Sequence, residues 1–249
     1  MLKGDDAYNA TLTALSVGYR HIDTAALYRN EADIGRAIIT SKIPRKELFL
    51  TTKVLTKDQY KGPKAILKTF EASLRNLQTD YVDLLLLHGP CTEVIEQSWT
   101  VLEDLYLAKK CLMIGVSNFS ICDLQLMKNT RVYPMVNQIE LSPFFRREKL
   151  VQYCIENKII IEAHSSLTRG NKLGDPLITN IAKKNNISTA QVLIKWALQN
   201  NYIVLPRSQN PLHIKENISM QHIKLSMEDM AILNNLEDKF ILFPKFEKI

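Results

Sequence analysis

The sequence predicts an α/β barrel of the (β/α)8 type, on three observations. Short β-branched or leucine-rich runs alternate with amphipathic helical stretches along the whole chain. Several of those runs, such as Leu84–Leu87 and Ile159–Ile161, are apolar throughout, as strands covered on both faces are. Polar residues recur where the runs end: Asp23, Lys53, His88, Ser117 with Asn118, Gln138, Ser165, and Arg207 with Ser208. A barrel gathers its strand ends around one mouth, so these termini would converge on one cavity. An open doubly wound sheet is the second architecture. It would usually carry a glycine-rich phosphate fingerprint after its first strand, and none follows here.

The elements follow in order. Helix-like residues from Asp6 to Val17 precede a first run at Tyr19–Ala25. A helical pattern then places Ile34, Ala37 and Ile38 on one face. Further runs lie at Leu48–Val54, Val82–His88, Leu112–Ser117, Met135–Glu140, Ile159–Ser165 and Tyr202–Ser208. Between them, Ala65–Leu77 aligns Ile66, Phe70, Leu74 and Leu77, and Thr189–Leu198 aligns Val192, Leu193, Trp196 and Ala197. Seven runs are one fewer than an eight-stranded barrel needs. The expectation is therefore an incomplete barrel with its first strand missing. No linker or composition shift divides residues 1–249, so they are expected to form a single barrel domain.

Composition narrows the function classes. The net charge is +6, but the basic residues are dispersed, with Arg146-Arg147 and Lys183-Lys184 the densest groups. That argues against a nucleic-acid stripe and suits a mild field that draws in anionic small molecules such as a phosphorylated cofactor. No apolar run approaches the ~20 residues of a membrane span, and the N-terminal residues carry no signal-peptide pattern. Cys91, Cys111, Cys122 and Cys154 have no paired metal-type spacing and read as structural thiols of a reducing compartment. The expected location is the cytoplasm, with neither nucleic acid, membrane nor metal as a partner.

The chemistry centres on four residues. Asp23 ends the first run, and Tyr28 follows on the next loop. A phenol with an ordinary pKa near ~10 is a poor acid at neutral pH. Lys53, ending the neighbouring run, would lower it by stabilising the phenolate, and Asp23 would keep that lysine charged. His88 would donate a hydrogen bond to a carbonyl oxygen and orient it. Together they form a device for protonating an oxygen as a hydride arrives at carbon. Taken singly, each has a plainer explanation: a strand-end cap, a half-buried phenol, a solvated lysine, a packing histidine. Trp99, Phe119, Phe144 and Phe145 are candidate pocket aromatics, with Trp99 and Phe119 the better core candidates.

The chain also resembles the aldo-keto reductase family. Gly18–Ala25 with Tyr28, Asn30, Glu31 and Gly35 is similar to the family's first motif. Leu50–Lys53, Asp83–His88, Ile114–Phe119, Val136–Glu140, Leu205–Ser208 and Glu216-Asn217 follow in the family's order, and the match runs from about Leu2 to Leu236. The resemblance implies a (β/α)8 barrel that reduces a small-molecule carbonyl with NADPH, NADH being possible. It implies that Tyr28 is the general acid, that Lys53 and Asp23 tune it, and that His88 orients the carbonyl. Ser117, Asn118 and Gln138 would hold the nicotinamide carboxamide, with His164 as the stacking plate beside Ser165. Arg207, Ser208, His213, Glu216 and Asn217 would form the adenosine-phosphate site. The family usually has arginine where His213 stands, tyrosine at His164, glycine at Arg29 and tryptophan at Gly89, and a longer tail than Phe240–Ile249. The alternative is a catalytically decayed relative serving as a nucleotide-binding or interaction protein.

Overall fold

The computed structural model describes residues 1–220, 222–236 and 239–244. Its strands are β1 (His21–Asp23), β2 (Phe49–Val54), β3 (Val82–Leu87), β4 (Cys111–Ser117), β5 (Val136–Glu140), β6 (Ile160–His164) and β7 (Ile203–Val204). They form one parallel sheet in chain order, β1 to β7. Helices fill the crossovers: α1 (Gly4–Ser16), α2 (Glu31–Ser41), α3 (Thr56–Tyr60), α4 (Pro63–Leu77), α5 (Ile95–Leu107), α6 (Ile121–Leu126), α7 (Glu148–Glu156), α8 (Pro176–Asn185), α9 (Thr189–Gln199), α10 (Pro211–Ile218) and α11 (Met227–Asn234). All seven expected runs become strands. The first and last are much shorter than Tyr19–Ala25 and Tyr202–Ser208. Beyond β7 stands Pro206, which has no N–H for a ladder. Beyond β1 the chain turns at Ala26–Tyr28. Among the described residues β1 pairs only with β2, and β7 only with β6.

Neighbouring strands lie about 4.8 Å apart, so in a flat sheet β1 and β6 would be separated by roughly 24 Å. Instead His21 Nε2 on β1 is 3.8 Å from Glu162 Oε1 on β6, and Gln138 Nε2 on β5 donates to Asp23 Oδ2 at 2.8 Å. The sheet is therefore curled, and its concave face is the interior.

Strand periodicity divides the sheet's two faces. The outer face carries Leu50, Val54, Leu85, Leu87, Ile114, Val116, Ile139 and Ile161. These pack under the helices against Ile66, Phe70, Leu77, Trp99 and Leu102. The inner face begins with an apolar layer of Leu84, Leu86 and Val136 with Phe49 and Met113. Gly115 sits in that layer because an added Cβ would lie 2.6 Å from the Val136 carbonyl oxygen and 2.8 Å from Leu86. Above it the inward positions turn polar, with His21 and Asp23, Thr51 and Lys53, Gln138, and Glu162.

α2 packs on α4 at Gly35, where a Cβ would collide with the Asn76 backbone oxygen. Alanine at a helix interior gains up to ~1 kcal/mol in propensity over glycine, but overpacking of this kind costs about 1–3 kcal/mol. Gly35→Ala should therefore destabilise the fold in denaturant titration; equal or greater stability would contradict this packing.

Candidate active site

The turn after β1 carries Tyr28, and buried polar side chains fix that turn. Thr24 Oγ1 donates to Asn30 Oδ1 at 2.8 Å, and Thr52 Oγ1 donates to Glu31 Oε1 at 2.6 Å. The motif residues Asn30 and Glu31 thus tie the loop and α2 to the sheet. Arg29 adopts the left-handed conformation with φ +55°. A side chain there costs about 1–2 kcal/mol, which explains why glycine suits this position.

Lys53 is fully buried and donates to Asp23 Oδ1 at 2.6 Å and to the Thr24 carbonyl at 2.9 Å. Its Nζ lies 5.2 Å from the centre of the Tyr28 ring. Tyr28 Oη stands 3.5 Å from His88 Nε2, with the rings edge to face. All four residues expected from the sequence therefore meet. Burial is the largest single effect and opposes the ammonium of Lys53, but the charge and hydrogen bond of Asp23, with Tyr28 and Glu162, together outweigh it, and the lysine titrates above its usual value. Tyr28 corrects one expectation. Lys53 does oppose ionisation loss as anticipated, yet burial dominates and Asp23 adds to it, so the phenol is raised rather than lowered. Tyr28 therefore holds its proton throughout the neutral range.

A second group joins this one through Gln138. Its Nε2 donates to both Asp23 Oδ2 (2.8 Å) and Glu162 Oε2 (2.7 Å). Ser117 Oγ donates to the Gln138 backbone oxygen at 3.0 Å, and Asn118 Nδ2 donates to Ser117 Oγ at 3.0 Å. Asn118 Oδ1 is an acceptor 2.9 Å from His164 Nε2, which assigns the proton to that nitrogen. His164 Nδ1 then accepts from Ser165 Oγ at 3.0 Å. Burial and the nearby Lys53 charge push the imidazole down to about 3, so it is a neutral plate.

The remaining five residues stand apart. Arg207 and Ser208 follow β7, with Arg207 Nη1 beside Met1 Sδ at 3.2 Å. Ser208 Oγ accepts from the Asn210 amide, and Asn210 caps α10 through Leu212 N. His213 and Glu216 on α10 are exposed and Asn217 is buried. Among the described residues their link to the inner group is the charge of Arg207, which favours the Tyr28 phenolate.

Four residues that matter here were missed in the sequence. Glu162 is 1 % exposed, and His21 lies 3.8 Å from it. Both were legible by period two, since Glu162 shares a strand face with His164, and His21 with Asp23. Glu140, at the end of β5, accepts from the backbone amides of Leu242 and Phe243 at 2.8 and 3.1 Å. Phe243 thereby stands edge to face with His164, 5.7 Å between centres, and no local pattern announced it. Residues 245–249 of the expected tail lie outside the described residues. Of the candidate aromatics, Trp99, Phe119 and Phe144 are core. Phe144 and Phe145 border a cavity of about 750 Å³ between the loops after β4 and β5. Among the described residues no cluster of three or more His, Cys, Asp or Glu could hold a metal ion, and no helix is long and apolar enough to cross a membrane.

Burial lowers His21, so it offers Glu162 less cationic support than an ordinary histidine would. Burial first, then the Asp23 charge, lifts the Glu162 carboxyl to about 7. The native state then binds an extra proton between pH ~4.5 and ~7, so this group's contribution to stability falls as pH rises through that window. The full swing is on the order of 3 kcal/mol. Glu162→Gln should flatten that part of the stability-versus-pH curve and be the more stable protein at pH 8. A parallel curve for the variant would refute this.

Comparison with known proteins agrees with this geometry. The family model described as "Aldo/keto reductase family" matches residues 2–174 and 168–238. The chain is 42% identical over 234 residues to the glyoxal reductase of Bacillus subtilis (strain 168), covering 94% of this chain and 84% of that one. It is 38% identical over 267 aligned positions to the glycerol 2-dehydrogenase (NADP(+)) of Saccharomyces cerevisiae, covering 94% and 84%. The crystal structure of MGS-M4, an aldo-keto reductase enzyme from a Medee basin deep-sea metagenome library, superposes with a TM-score of 0.95 at 38% identity, covering 100% of this chain and 92% of that one. With the sheet curled around a buried lysine–aspartate pair and a matching profile along nearly its whole length, this chain belongs to the aldo/keto reductase family.

Proposed function

We propose that this chain reduces a small aldehyde or ketone to the alcohol, with NADPH as the preferred hydride source and NADH as a possible one. The observation that carries the reading is the buried Lys53–Asp23 pair set 5.2 Å under the Tyr28 ring, with His88 at the phenol. The glyoxal reductase and NADP(+)-named relatives support the substrate class and the cofactor. NADPH, when bound, supplies the hydride that reduces the carbonyl carbon. Tyr28 transfers its phenolic proton to the carbonyl oxygen as charge builds there. The Lys53 ammonium stabilises the tyrosinate as it forms, and Asp23 keeps that ammonium charged. His88 donates a hydrogen bond to the same oxygen and fixes its direction.

The donor set suits a nicotinamide dinucleotide. Ser117, Asn118 and Gln138 offer clustered amide and hydroxyl groups for a carboxamide, and His164, its nitrogens taken by Asn118 and Ser165, offers a neutral ring face. Arg207, Ser208, His213, Glu216 and Asn217 surround the start of α10, where a cation and helix N–H groups suit a ribose phosphate. Histidine in place of arginine at 213 gives a weaker grip on a 2′-phosphate. The reading takes residues 1–249 as one catalytic domain and places the ring's missing strand between β1 and β7, each of which has a single partner here. Free thiols at all four cysteines favour the cytoplasm. The assembled quartet gives no support to a decayed, non-catalytic relative.

Wild-type protein at saturating NADPH should oxidise the nucleotide only when a carbonyl such as glyoxal is added. Tyr28→Phe should lower kcat by roughly 100- to 10,000-fold, the usual share of a general acid, while nucleotide binding by fluorescence quenching stays intact. Near-normal turnover in Tyr28→Phe would assign the proton to another group.

A further inference from the structure

The two N–H bonds of the Gln138 amide go to two different carboxylates, Asp23 on β1 and Glu162 on β6. An ionised carboxylate only accepts, so above the titration of Glu162 neither acid tolerates the amide oxygen in that place. The planar amide is thereby locked in one of its two flips, with its oxygen on the side away from both acids. Asp23 has a second task, since its other oxygen holds Lys53. Glu162 has none of that kind. It is buried, His21 lies 3.8 Å from it, and Lys53 on β2 and Asp23 on β1 are the charged groups whose fields reach it. An acid so placed costs stability, so its presence points to a use.

We infer that Glu162 is a positioning residue for the cofactor: with Asp23 it fixes the flip of the Gln138 amide, so that the amide oxygen meets the N–H bonds of the nicotinamide carboxamide. This rests on the proposed function, because it takes Gln138 as a nicotinamide contact. Glu162 touches neither substrate nor cofactor and acts through Gln138. Glutamine at 162 keeps the shape but can donate as well as accept, so one of the two constraints on the Gln138 flip is lost.

The test compares two ligands on the wild-type and Glu162→Gln proteins at pH 8: NADP⁺, and adenosine 2′,5′-bisphosphate, which lacks the nicotinamide half. Titration calorimetry or fluorescence gives the affinities, and thermal unfolding of the free proteins is read alongside. The expected result is NADP⁺ binding weaker by roughly 5- to 30-fold, the worth of about one oriented hydrogen bond. The bisphosphate should bind equally to both proteins, and the variant should melt no lower than wild type. Equal loss for both ligands, or loss accompanied by a lower melting temperature, means a structural role and overturns the inference. Unchanged affinity for NADP⁺ overturns it as well. Wild-type protein that binds neither ligand would overturn NADPH as the cofactor of the proposed function, and this inference with it.

Discussion

The rest of the site depends on the contact between Lys53 and Asp23. A lysine with no solvent exposure pays several kcal/mol for leaving water, and it stays charged here because an acid stands 2.6 Å away and the Thr24 carbonyl accepts a second bond. Neither partner could supply this alone. Asp23 comes from the first strand and Lys53 from the second, and in strand register Lys53 lies beyond the partner of Asp23, Thr51, on the same inward face. The curl of the sheet then lets Gln138, four strands away from β1, bond the free oxygen of Asp23. The pair is in this sense a product of barrel topology, and the raised titration of Lys53 is its electrostatic signature.

The interior is stratified by the same geometry. Its lower layer, Leu84, Leu86 and Val136 with Phe49 and Met113, is dry and supplies burial. Its upper layer is polar at inward positions of β1, β2, β5 and β6, and each acid there has named partners. Stability and chemistry thus occupy different heights of one cavity. The polar layer is costly: burial first, then the charge of Asp23, lifts Glu162 to about 7, and the Gln138 hydrogen bond and the Lys53 charge offset only part of it. The apolar layer and the helix-covered outer face offset that cost.

Much of this was legible in the sequence, for physical reasons. Strands covered on both faces leave long apolar runs, so Leu84–Leu87 announced β3 without ambiguity. Polar residues closing such runs are expensive unless they face a cavity, and Asp23, Lys53 and Gln138 do meet on the concave face of the sheet. What failed was quantity and long-range assembly. The direction of the Tyr28 shift depended on how deeply the phenol is buried, which spacing does not reveal. Glu162 stood in the open two residues before His164, but its partners are 24 and 141 positions away in the chain at Gln138 and His21. The contact of Phe243 with His164 arises from a tail anchored on Glu140 and has no local signature. The ends of β1 and β7 shortened because edge strands gain bonds on one side only.

The central claim is that the anionic surroundings of Lys53, led by Asp23, together outweigh burial there, and nuclear magnetic resonance of the lysine side chain tests it without any substitution. In protein labelled with ¹⁵N at lysine, the Nζ resonance of Lys53 followed through a pH titration reports its protonation directly. The account predicts an ammonium that persists beyond pH 10.5, above the ordinary lysine value. Neutralisation of Lys53 at or below about pH 9, well under the ordinary value, would mean that burial prevails, and would contradict it.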